Sequence, residues 1–344
     1  MSDSLFINPL RGRSGARPPV WFMRQAGRAL PAYRALREKH SFFELMRTPA
    51  LAAEVTLQPV RELGVDAAIL FSDILVIPEG LGMDLEFTDS GPRFDSPLKD
   101  RATPADSLRV EPARLDHVYA AIDEIRRLKP ADIPLIGFCG GPLTVFCYMI
   151  QGLGTDHAFP DAVSFLYGRP EESGRLLGAI AELSAEYARE QVRHRIDAFQ
   201  LFETGAGIVP AEFYARRILP HVHTILKAVR EKEVPAIFFP REMGAGITSL
   251  GEGLWEGLGV DWQAPLDGMR RLVGPACVLQ GNLDPRVLLL GEARAIEAFG
   301  DCLEFGRRDP NYIVNLGHGV LPGTDHRVLR ALVDKVKESD WRRN

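Results

Sequence analysis

The sequence predicts an α/β fold, a single (β/α)8 TIM barrel with its active site at the C-terminal ends of the strands. Three observations carry this expectation. Eight short, nearly continuous apolar runs recur along the 344 residues, as strands buried on both faces do. Longer segments of helical period separate the runs, which implies parallel pairing through βα crossovers. Glycines and charges gather directly after the runs, where a barrel opens its mouth.

The first run, residues 20–23, follows an N-terminal stretch, 1–17, expected to be flexible. Thr48 before Pro49 marks a helix start, since a hydroxyl accepts from orphan backbone N–H groups and proline suits the first turn. Pro59 is expected to kink or shorten that helix. The second run is 67–71. In 113–129, Leu115, Val118, Ile122, Ile125 and Leu128 recur at three- and four-residue steps until Pro130, which predicts an amphipathic helix. Run three is 133–138, then a helix over 171–194, run four at 198–202, and a helical stretch over 211–232 interrupted at Pro220. The remaining runs are 235–239, 259–262, 277–280 and 312–316. A doubly wound sheet is the rival, but no GxGxxG follows the first run, and no Gly/Ser/Pro-rich linker divides the chain. One domain over 1–344 is expected.

Composition narrows the partners. With 46% hydrophobic and 25% charged residues and a net charge of -5, a bulk nucleic-acid binder is not expected. The N-terminus lacks an apolar signal core and no segment approaches a membrane span, so a cytoplasmic protein is expected. Cys139, Cys147, Cys277 and Cys302 form no CxxC pair, which favours reduced thiols and offers no obvious zinc site. Of the 41 basic residues only seven are lysines. Codon bias explains an arginine excess without function, so arginine position carries the argument. Arg24, Arg28, Arg34 and Arg37 stand directly behind the first run.

Read as one set, the segments after the runs are "RQAGR" (24–28), "SD" (72–73), "CGGP" (139–142), "ETGAG" (203–207), "PRE" (240–242), "QAP" (263–265), "GNLD" (281–284) and "GHG" (317–319). Glycine-rich turns are also ordinary punctuation after strands. The combination is more specific. "VWFMRQAGRALPAYR", "GFCGGPLTVFCYMIQG", "LFSDILVIPEGLGM", "LQGNLDP" and "NLGHGVLPGT", in this order, resemble the signatures of the uroporphyrinogen decarboxylase family over nearly the whole chain.

That resemblance implies a cofactor-free barrel, commonly a homodimer, that converts the four acetates of uroporphyrinogen III to methyls and yields coproporphyrinogen III in haem and tetrapyrrole biosynthesis. It assigns Arg24, Arg28 and Arg37 to carboxylate binding, Asp73 to the central acid, and Tyr148 and His318 to the polar pocket. Gln25, Phe138, Gly140 and Phe202 match pocket-wall or polar-contact positions, and Thr204 stands where many members carry serine. Leu143 replaces a tryptophan usual after the proline of the second signature, and "TDHRV" lacks a proline often found near the last helix.

Chemistry read from the residues agrees. Decarboxylation needs an electron sink, commonly pyridoxal phosphate, thiamine or a lysine Schiff base. None of the seven lysines follows a predicted strand, so a substrate that supplies its own sink fits better. A pyrrole protonated on a ring carbon is an iminium-like cation into which the acetate can lose carbon dioxide. An anion near the ring nitrogens stabilises that cation. Asp73 is the candidate, expected to stay charged beside arginines and N–H donors, although a carboxylate here could equally cap a turn. Guanidinium forks suit a substrate with many carboxylates.

Arg24 and Arg28 share one face if their segment is helical. Arg34 reads as an ordinary helix-surface charge. An arginine acid would be hampered by a pKa above about 12. His318 either donates a proton near neutrality or orients by hydrogen bonding, and the second role is preferred. Gly27 is expected to leave room for a bulky ring or a tight turn, and His221 and His223 read as surface residues. Two rivals stand beside the decarboxylase: a zinc- and corrinoid-type methyltransferase on the same barrel, and a non-catalytic tetrapyrrole-binding protein.

Overall fold

A computed structural model of the chain describes residues 4–13, 15–88, 91–152 and 158–341. Nine strands form. They are β1 (Ala68–Ile69), β2 (Leu85–Thr88), β3 (Gly91–Phe94), β4 (Leu135–Gly140), β5 (Ala198–Glu203), β6 (Ala236–Pro240), β7 (Gly257–Gly259), β8 (Val278–Leu283) and β9 (Tyr312–Leu316). Seven make one parallel sheet in the order β1-β4-β5-β6-β7-β8-β9, while β2 and β3 pair as a separate antiparallel hairpin. Strands β1, β4, β6, β7 and β9 are buried at every position, as the unbroken apolar runs require when helices cover the outer face.

The first run closes the barrel without joining the ladder as a full strand. Val20 makes a single parallel bridge to Val314 of β9, and its carbonyl accepts from Asp66 N–H at 2.8 Å on the β1 side. Pro18 and Pro19 lack the N–H groups that would extend the pairing. Counting residues 20–23 as the first stave, the barrel has eight. A buried polar chain crosses its interior: Trp21 Nε1 donates to Gln280 Oε1 at 3.0 Å, and Gln280 Nε2 donates to Gln200 Oε1 at 3.1 Å.

Several boundaries differ from the sequence reading. The N-terminal segment is not loose where it is described: Phe6, Ile7 and Leu10 are buried, Ile7–Leu10 is helical, and Phe6 meets the Trp21 ring edge-on at 6.4 Å. These apolar side chains need a partner, and the barrel floor supplies one at Gly257, where an added Cβ would approach Leu10 to 3.1 Å. Residues 1–3 and 14 lie outside the described residues. The sixth run pairs over Gly257–Gly259, two residues earlier than its apolar centre suggests. The helix Pro49–Glu62 runs through Pro59, and Thr48 precedes it without a side-chain cap bond. Helices Asp116–Leu128 and Pro170–Arg193 match expectation, and Ala211–Arg217 and Leu219–Arg230 break near Pro220.

Candidate active site

Arg24 leaves the first stave in a left-handed backbone, φ 58°, a conformation uncommon for a residue with a side chain. Its neighbours hold it there. Met23 N–H donates to Asn315 Oδ1 at 3.0 Å, and Met23 C=O accepts from Val320 N–H at 2.8 Å. Gln25 is fully buried, its Oε1 accepting from Phe22 N–H and its Nε2 donating to the Ala67 carbonyl. Both ends of the Gln25 amide thus pin the loop, one to Phe22 and one to the start of β1.

Residues 24–30 do not form a helix, so Arg24 and Arg28 do not share a helical face. They serve two groups. The Arg24 charge acts on Asp73 and on Tyr148, while Arg28 and Arg37 act together on Tyr33, a residue of the "PAYR" stretch not singled out in the sequence. Arg34 has a structural task, donating to the carbonyls of Arg28 at 2.9 Å and Ala29 at 3.0 Å. Arg37 donates to the His40 carbonyl at 2.6 Å. A Cβ on Gly27 would make only ordinary contact with the Arg24 carbonyl at 3.5 Å, so this turn does not demand glycine.

Asp73 follows β1. Its Oδ1 accepts from Leu75 N–H at 2.8 Å, so it closes a turn and faces Arg24 at once. Burial pushes its pKa up, and the Leu75 N–H and the Arg24 charge only partly offset this. Burial thus weighs against the charged form of Asp73 more than the Leu75 N–H and Arg24 favour it. Burial and the Asp73 charge raise the Tyr148 pKa, against the pull of Arg24. Behind them Glu79 is buried and also pushed up, with Arg47 as its ion-pair partner and Asp73 as a like charge.

A second arc of the mouth is aromatic. Phe138 meets Phe202 edge-on at 5.6 Å, Phe202 meets Phe239 at 6.3 Å, Phe239 stacks on His318 at 6.3 Å, and Trp262 tilts against His318 at 6.5 Å. Thr204 directly follows β5 and is partly exposed. Gly140 has a packing reason, because a Cβ there would lie 2.9 Å from Ile74 Cβ and 2.8 Å from Val145. That closeness seats the Asp73 loop against β4. At Gly319 a Cβ would come within 2.4 Å of Arg24 Cδ, so the "GHG" turn and the "RQAGR" loop interlock.

Glu203 of the "ETGAG" segment is fully buried and accepts from the N–H groups of Leu143 and Thr144, from Thr144 Oγ1 and from Tyr214 Oη. It supplies acceptors to the N-terminus of the helix Pro142–Gln151, which carries Tyr148. Leu143 is buried under this loop, so the missing tryptophan leaves an apolar residue in a packed position. His221 and His223 do not reach the mouth cluster, but both are partly buried, with pKa values lowered by burial.

All four cysteines are free. Among the described residues no group of three or more His, Cys, Asp or Glu is placed to hold a metal ion, and no helix is long and apolar enough to cross a membrane.

The comparisons with known proteins agree with this geometry. A family model described as uroporphyrinogen decarboxylase (URO-D) matches residues 1–339. The uroporphyrinogen decarboxylase of Syntrophotalea carbinolica is 40% identical, covering 97% of this chain and 97% of that protein. That of Legionella pneumophila strain Lens is 37% identical over 98% of this chain and 97% of its own length. Among solved structures, a methyltransferase from Methanosarcina mazei superposes with a TM-score of 0.72 at 20% identity, covering 98% of this chain and 99% of that one. A putative vitamin-B12 independent methionine synthase from Listeria monocytogenes gives 0.55 at 11%, covering 94% and 96%. At such identity these two share the fold alone. The full-length relatives and the family match carry more, and by them the chain belongs to the uroporphyrinogen decarboxylase family.

Proposed function

We propose that this chain is a carboxy-lyase that removes carbon dioxide from the four acetate side chains of uroporphyrinogen III without a cofactor, leaving methyls and giving coproporphyrinogen III. The observation that carries this reading is one mouth with two unlike arcs. The Arg24 and Asp73 charges act on one another beside Tyr148, and the rings of Phe138, Phe202, Phe239 and His318 run from β4 through β5 and β6 to the turn that touches Arg24. An apolar macrocycle fringed with carboxylates matches both.

In the proposed sequence a pyrrole ring carbon is protonated first, which places the positive charge beside the acetate. The carboxylate then leaves as carbon dioxide, its electron pair neutralising the ring and forming an exocyclic double bond. Protonation of the exocyclic carbon and loss of the ring proton complete a methyl, consuming one proton per carbon dioxide released. Asp73 accepts hydrogen bonds from the ring N–H groups and stabilises the cation. Arg24, Arg28 and Arg37 hold carboxylates through charge-assisted bonds. Tyr148 and His318 orient the reacting acetate. The same reading makes the protein a cytoplasmic homodimer.

The test is an anaerobic incubation of purified protein with uroporphyrinogen and no additive, products being separated by carboxylate number. Folded protein that releases no product with fewer carboxylates would sink the proposal.

A further inference from the structure

The "PRE", "QAP" and "GNLD" segments follow three neighbouring staves, and two arginines beside them are not used by the reaction above. Counting from the Arg24 stave, β6 is the fifth of eight, and Arg241 follows it. Its guanidinium carbon lies 5.4 Å from the centre of the Trp262 ring, and that of Arg286 lies 5.2 Å from the same ring. Trp262 in turn packs against His318.

Arg241 is firmly built in. Its N–H donates to the Glu203 carbonyl at 3.1 Å and its own carbonyl accepts from Gly207 N–H at 3.0 Å. The next residue, Glu242, has φ 63°, and its N–H is held by Asp261 Oδ2 at 2.6 Å. A Cβ on Gly207 would lie 2.5 Å from Glu242 Cβ, so the backbone has no slack. The Arg241 side chain is 15% exposed, and its buried Nε has no hydrogen-bond partner among the described residues. Leaving such a donor unused is costly.

The acids facing this feature are Glu242, which engages Arg241 at Nη2 alone, Asp261 behind it, and Asp284, which takes Nε and Nη2 of Arg286. The Arg286 side chain is 63% exposed, and such ion pairs hold their partners weakly. Among the described residues, Nη1 of neither arginine makes a hydrogen bond, and both remain for an incoming carboxylate.

We infer that Arg241 and Arg286, flanking Trp262, form a second carboxylate subsite at the ends of β6 and β8, separate from the loop that carries Arg24. It rests on the decarboxylase reading and adds to it a second anchor. Arg24, Arg28 and Arg37 all come from the loop after one stave and the helix Pro31–Arg37, so they reach one side of the substrate. A macrocycle with carboxylates around its whole rim presents others beyond that side.

The test measures kcat, KM and their salt dependence for wild type, Arg241→Gln, Arg241→Lys and Arg286→Gln with uroporphyrinogen, and the inhibition of each by coproporphyrinogen. Losing one charge-assisted contact raises KM about tenfold in each Gln variant, with kcat changed far less and a shallower response of KM to salt. Arg241→Lys recovers part of the loss. If product inhibition weakens alongside, the subsite holds a propionate; if only substrate binding weakens, it holds an acetate. Should Arg241→Gln fail to fold, exposed Arg286→Gln decides alone. Wild-type KM and salt response in the folded Gln variants, with active wild type, would overturn the subsite. Failure of the decarboxylase reading differs, because wild type itself then releases no carbon dioxide.

Discussion

Replacing Gly319 by alanine tests whether the interlock of two loops sets the position of Arg24. The added methyl carbon would stand 2.4 Å from Arg24 Cδ, 2.7 Å from Cγ and 3.1 Å from Nε. Carbon atoms in contact prefer about 3.5–4.0 Å, so the arginine stem must withdraw by about 1 Å. Its backbone cannot follow, because Met23 is bonded on both sides and Gln25 is pinned to Phe22 and Ala67. The side chain therefore rotates, and the guanidinium leaves the place from which its charge acts on Asp73 and Tyr148. A misplacement of this size costs about 100-fold in rate, or roughly 2.7 kcal/mol.

The assay is kcat/KM under anaerobic conditions for Gly319→Ala, Arg24→Ala and the double variant. Arg24→Ala removes the atoms that clash, so Gly319→Ala should then add less than about twofold. An equal loss in both backgrounds, or no loss beside Arg24, would refute the reasoning.

Asp73→Asn should abolish turnover by about 100-fold or more while raising the melting temperature near pH 7 by about 2 °C, because it removes a charge that burial disfavours. The sign follows from the raised pKa: the native state holds this proton more tightly than the unfolded chain, so stability is lost as pH rises through the folded value. The melting advantage of the variant should accordingly vanish below the ordinary carboxylate range; a constant advantage at all pH values would contradict it. Glu203→Gln should lower the melting temperature by a few degrees, since buried donors of Leu143, Thr144 or Tyr214 lose an acceptor at about 1–3 kcal/mol each. Unchanged melting would remove Glu203 from its role at that helix start. Arg34→Ala should weaken substrate binding by freeing the Arg28 and Ala29 carbonyls it holds, with KM rising more than kcat falls; an unchanged KM would return Arg34 to the surface.

The apolar runs located the staves because both faces of each are covered, so burial writes itself into residue type at every position. The hairpin of β2 and β3 escaped although Leu85–Thr88 alternates and "DSG" follows, a turn signal of the ordinary kind. Within the site, the structural tasks of Gln25 and Arg34 were not legible, because they find their partners in carbonyls and an N–H group, which every residue carries and which leave no mark in a sequence. Gly319 was visible as a glycine, but its reason, the Arg24 stem, lies 295 positions away in the chain and only the fold brings it close.

Asp73 joins burial, charge and the proposed reaction in one residue. Burial pushes its pKa up, and the Arg24 charge and the Leu75 N–H only partly offset this. On the proposed reaction, the pyrrole N–H groups of the substrate add further donors. Arrival of the macrocycle then does two things at once: it supplies hydrogen bonds that favour the charged carboxylate, and it places that charge beside the ring where positive charge will develop. The arginines are thereby relieved of holding Asp73 ionised and serve the periphery. This arrangement also explains how a chain with a net charge of -5 takes a polyanion, since the attraction is local to the mouth and the rest of the surface need not share it.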